Sequence, residues 1–104
     1  MHNDVFGNME TRGAVLDSGL SSLLHDLSVK GLLSDTMVVV ASEFGRTPEV
    51  KAGRVGRDHH PSAFSVLFAG GGIKEGFVYG KSDERAHYVE ENGVDVPSVN
   101  ATIA

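Results

Sequence analysis

Residues Thr36-Met37-Val38-Val39-Val40-Ala41 form an unbroken apolar, β-branched run, and a leucine-striped segment precedes it. A strand that is apolar on both faces has to be covered above and below, so the run predicts a central strand flanked by helices. The preceding segment supplies one cover, because Leu16, Leu20, Leu23, Leu24 and Leu27 recur at helical spacing. We place that helix at about Glu10 to Lys30, with Asn8 or Thr11 as N-cap. Gly31 stands where a left-handed, helix-ending residue is expected, and Lys30 suits the negative end of the dipole. A helix feeding a strand through the Ser34-Asp35 turn is the second half of a βαβ unit. No strand precedes His2 to make the first half, so residues 1–104 read as a single C-terminal piece of a longer domain.

The remaining organisation follows from where this pattern breaks. Glu43 to Ser62 is a long connection rich in charge, Gly and His, and loops of that length inside a domain usually carry function. Ala63 to Ala69 is a second apolar run, read as another buried strand closed by a turn at Gly70-Gly71-Gly72. Phe77 to Gly80 reads as a short hairpin-like strand and Lys81 to Val94 as polar loop. Pro97 to Ala104 opens a helix, with Asp95 or the Ser98 region as its cap.

Composition then removes whole classes of function. The 104 residues are 40% hydrophobic and 22% charged, values of a globular chain with room for one modest core. With 13 Gly, tight loops must be numerous. The absence of Cys excludes disulfide frameworks, zinc ribbons and thiol nucleophiles. A net charge of -5, with no basic cluster evident, argues against nucleic acid as a partner. No apolar stretch reaches the roughly 18 residues of a membrane span, and Met1 to Phe6 is not a signal peptide.

Two clusters in the long connection can carry chemistry. Asp58-His59-His60 combines oxygen and nitrogen donors that zinc, manganese and iron accept, and a carboxylate beside an imidazole also fixes its tautomer. The same residues also suit a plain turn, with Asp58 capping backbone amides and Pro61 starting the strand. Glu43 and Arg46 follow the valine strand, where open α/β sheets bind ligands. Glu43 there can bind a metal and Arg46 can fork onto a phosphate or sulfate, or the two can simply pair across a turn. His2 would join them from the end of the missing strand. His25, at the edge of the leucine stripe, and His87, in a polar loop, read as surface or structural residues.

Several strings together resemble a known family. They are His2-Asn3-Asp4, Val38 to Ala41 running into Ser42-Glu43-Phe44-Gly45-Arg46-Thr47-Pro48, Gly56-Arg57-Asp58-His59-His60-Pro61, and Phe64 to Ile73. In this order, and with Leu23-Leu24-His25-Asp26-Leu27 before them, the chain is similar over nearly its whole length to bacterial sulfatase-like proteins in the alkaline phosphatase superfamily. The resemblance implies a partial doubly wound, mainly parallel α/β sheet with a divalent metal site (zinc, manganese or calcium) at the strand ends. It implies His2 and His59 as metal ligands, together with an Asp upstream of the chain, and Glu43 at a second metal position; Asp58 and His60 stand as secondary candidates on their donor chemistry. Arg46 would be the catalytic group that neutralises a small anionic ester. Family members carry Trp-Asp-Thr-His where this chain has only His2, behind Met1, and Phe44 stands where the wider superfamily carries a His. The nucleophile is expected upstream of residue 1, so the isolated chain is expected to be inactive. The resemblance suggests export, and an exposed strand edge would invite homo-oligomers. The alternative is a non-catalytic binding or interaction module on the same fold.

Overall fold

A computed structural model describes all of residues 1–104. Helix α1 spans Val5–Val29, a 3₁₀ turn follows at Leu33–Asp35, and β1 covers Met37–Val40. Next come β2 (Gly45–Arg46), β3 (His59–His60), β4 (Leu67–Gly70), β5 (Lys81–Ser82), β6 (Val89–Glu91) and α2 (Val96–Ile103). Helix α1 begins earlier than its stripe suggests because Asp4, not Asn8 or Thr11, caps it, accepting from the Gly7 amide at 3.2 Å. It ends as expected, with Gly31 at φ 69°, a conformation that costs glycine little. Helix α2 starts behind Asp95, whose carboxylate accepts from the Ser98 amide at 2.8 Å.

The expected parallel, doubly wound sheet of the alkaline phosphatase-like type is not what forms. The strands make three separate two-stranded ribbons, β1–β4, β2–β3 and β5–β6, all antiparallel. The physical reason lies in the connection from β1 to β4. A parallel pair needs a crossover that carries the chain back to its starting end, usually a helix. Residues 41–66 hold no helix, so the chain turns round and β4 comes back alongside β1, with Val40 opposite Leu67 and Met37 opposite Gly70. This reversal puts the end of β1 beside the start of β4. The two chemical clusters, one after β1 and one before β4, therefore share an end of the ribbon.

Other expectations shift with it. The second apolar run pairs only over its last residues, Phe77–Tyr79 forms no strand, and the polar segment after it contains β5 and β6. The single core also fails to appear, since 2 of 104 residues are buried, Val5 and Gly56. Leu16 and Leu23 are exposed, and Leu20, Leu24 and Leu27 are half-buried. Helix α1 meets the rest of the chain mainly at its two ends, and no helix is long and apolar enough to cross a membrane.

Candidate functional site

The site grows from the β2–β3 ribbon. Arg46 lies opposite His59 and Gly45 opposite His60. Directly opposed residues of an antiparallel pair project to one face, so Arg46 and His59 share a face and His60 takes the other. Thr47 extends the pairing: its amide donates to the Asp58 carbonyl at 2.9 Å, and its hydroxyl accepts from the Asp58 amide at 3.1 Å. Arg57 reaches back from the same turn and donates to the Thr47 carbonyl at 3.0 Å. Asp58 and His59 are thus held by the backbone as well as by their side chains.

His2 arrives from the opposite end of the chain. Residues 1–5 lie along the 54–57 turn, through Arg57 N–H to the Met1 carbonyl (3.0 Å), Asp4 N–H to Arg54 (3.0 Å) and Val5 N–H to Val55 (2.8 Å). The two buried residues of the molecule, Val5 and Gly56, sit in this contact. A Cβ at Gly56 would overlap the His2 carbonyl, so only glycine lets the two backbones approach. Asp4 (φ 43°) and Val55 (φ 49°) are both left-handed here, and for a β-branched valine that is strain held in place by its surroundings.

The result is a converging set. His2 Nδ1 is 3.0 Å from Asp58 Oδ1, and its Nε2 is 3.2 Å from His59 Nε2. Because a carboxylate only accepts, His2 carries its proton on Nδ1 and turns the Nε2 lone pair toward His59. Arg46 Nη1 comes within 3.4 Å of the same Nε2 and donates to the Arg57 carbonyl at 3.4 Å. Lys51 contacts Asp58 Oδ2, and Arg54 lies 3.8 Å from Oδ1. Hydrogen bonding, to Lys51 first and His2 second, lowers the Asp58 carboxyl to about 2. Asp58 therefore stays ionised throughout the range in which a histidine titrates.

Of the sequence candidates, His2, Asp58, His59 and Arg46 meet. Glu43 does not join them; it lines an open cleft of about 500 Å³ with Met1, Ser42, Phe44, Arg46 and Phe64. His60 faces away and donates to the His87 carbonyl at 2.6 Å. His87 in turn lies 2.5 Å from Glu49. Sequence reasoning passed over Lys51, Arg54 and Arg57, which with Arg46 make a local basic cluster where none was expected. The signal was present in Lys51-Ala-Gly-Arg54-Val-Gly-Arg57, a basic residue at every third position of a glycine-rich turn.

Two imidazole nitrogens bound to one tetrahedral zinc, each about 2.0–2.1 Å from the ion, stand about 3.3 Å apart. The His2–His59 separation of 3.2 Å matches that span. Asp58 supplies the carboxylate that such a ligand pair ordinarily has behind it. No group of three or more His, Cys, Asp or Glu converges as a ready-made cage; two imidazoles, one of them backed by a carboxylate, are what meet here. No curated protein and no solved structure matches the chain. One family profile does, over residues 1–104, with the description Protein of unknown function (DUF1501).

Proposed function

The chain belongs to the DUF1501 family of proteins of unknown function, and from the geometry of its site we propose that it is the metal-ligand-bearing part of a sulfatase- or phosphatase-like ester hydrolase. The observation that carries this reading is the His2–His59 pair, with Nε2 atoms 3.2 Å apart and Asp58 fixing the tautomer of one ring. His2 and His59 would hold a divalent ion, which when bound would supply Lewis acidity toward an ester oxygen. Arg46, lining the cleft next to the pair, donates N–H to the non-bridging oxygens of a sulfate or phosphate ester and offsets their charge. Asp58 keeps the His2 lone pair aimed, and Lys51 and Arg54 keep Asp58 ionised.

No nucleophile is assigned within the site: the Ser42 hydroxyl donates to the Phe44 carbonyl at 2.8 Å. The isolated chain is accordingly expected to bind metal without turning over esters. Calorimetric titration with zinc, manganese and calcium tests the ligand assignment. Binding by the wild type that His59→Ala abolishes supports it, and unchanged binding in that variant overturns it.

A second reading, an anion-binding module without catalysis, is favoured by one feature. Arg46 Nη1 points at the His2 lone pair a metal would use, 3.4 Å away. Titration with inorganic sulfate and phosphate in the presence of a chelator separates the two. Tight anion binding under those conditions supports the module and counts against the metal.

A further inference from the structure

His2 and His59 are held in different ways. His2 has Asp58 behind its Nδ1, whereas the His59 side chain makes one hydrogen bond, to His2, and its Nδ1 has no partner. A metal-binding imidazole ordinarily has its far nitrogen tied to a carboxylate or carbonyl, which fixes the ring. Beside that one hydrogen bond, an aromatic ring lies against His59. The Phe44 and His59 ring centroids are 4.1 Å apart at an interplanar angle of 31°, closer than the His2 ring at 4.9 Å and 40°.

The ribbon dictates this contact. Arg46 lies opposite His59, and Phe44 stands two residues before Arg46, just outside β2, with its ring against His59. Diagonal neighbours across an antiparallel pair are within reach of aromatic side chains. The register that brings Arg46 to the site thus also lays Phe44 over His59.

We propose that Phe44 is the positioning residue of the site, its ring taking the place of the missing hydrogen-bond partner of His59 and holding the imidazole with Nε2 toward His2. The role rests on the metal reading above, and its consequence is specific. The platform offers no donor atom, so a change of residue alters the orientation of a ligand and not the number of ligands. An aromatic substitute should serve, and an aliphatic one of similar bulk should not.

The test combines a signal that needs no metal with one that does. In the metal-free protein, the carbon-bound ring protons of His59 should carry an upfield ring-current shift in NMR spectra, lost in Phe44→Leu and kept in Phe44→Tyr. Calorimetric titration with zinc should show about tenfold weaker binding for Phe44→Leu and near-wild-type binding for Phe44→Tyr. Phe44→Met supplies the same comparison should Phe44→Leu fail to fold. Wild-type zinc affinity in Phe44→Leu or Phe44→Met overturns the positioning role while leaving the metal reading intact. Zinc binding absent from the wild type itself overturns both, and a His59 shift unchanged by Phe44→Leu refutes the stacking.

Discussion

Asp58 is touched by His2, Lys51 and Arg54, and it decides which nitrogen of His2 is free. Asp58→Asn keeps the shape and removes the charge. It should lower zinc affinity by roughly 10–100-fold in calorimetric titration, the usual cost of losing the carboxylate behind a ligand histidine. Gly56 acts through space instead of charge. In Gly56→Ala the new methyl meets the His2 carbonyl, so residues 1–5 must lift from the turn. Urea unfolding should show a loss of about 1–3 kcal/mol, the range for an overpacked contact, and zinc binding should weaken with it. Donor chemistry also orders the ions: two imidazoles favour zinc, manganese is weaker, and calcium prefers oxygen. The same titrations check that order.

At the scale of elements, what was legible in the sequence is what is local. The helical spacing of the leucines, Gly31 at the helix end and Asp95 before α2 act within a few residues, and each marks its element correctly, although the leucine face itself stays largely uncovered. Pairing sense is not local. The run Val38–Val40 reads the same beside a parallel or an antiparallel partner, and the deciding fact is a helix missing from residues 41–66. The 51–57 turn was hidden for another reason, since it needs Val55 at positive φ, against the preference of a β-branched residue. His2 and Asp58 could be suspected from their types, but Phe44 over His59 depends on a register no periodicity reveals. Helix α2 gives a pH test. Hydrogen bonds from Ser98, the side-chain contact first, hold Asp95 below its ordinary 3.8. A depressed carboxyl contributes stability above that ordinary value and loses it as pH falls through the folded one. The Ser98 amide resonance and the helical signal of α2 should hold down to about pH 4 and decay below it.

The whole molecule is extended for its length. It measures 49 × 31 × 20 Å with a radius of gyration of 15.9 Å, where a compact domain of this size has about 13 Å. Its accessible surface is 7721 Å², against about 5,600 Å² from the scaling for compact monomers. Unfolding therefore exposes about a fifth less new surface than it would from a compact fold, and the denaturant m-value in urea should lie at the low end for small proteins, ~1 kcal/mol/M. An m-value of ordinary size would show that the chain buries its leucines in solution. Both outer edges of β1–β4 are unpaired. Light scattering that rises with concentration would report strand addition there.

The placement of His2 has one more consequence, and it concerns the topology of the chain. His2 and His59 are 57 positions apart and meet at 3.2 Å. An ion shared by both would tie the polypeptide into a ring, as a disulfide does, but one that a chelator can open. By the loop-entropy relation for cross-links, closing a ring of that size takes about 4 kcal/mol of freedom from the denatured chain. In a molecule with Val5 as its buried apolar side chain, that is comparable to the stability of a small fold. Zinc should therefore raise the melting temperature of the whole chain, and EDTA should reverse the rise.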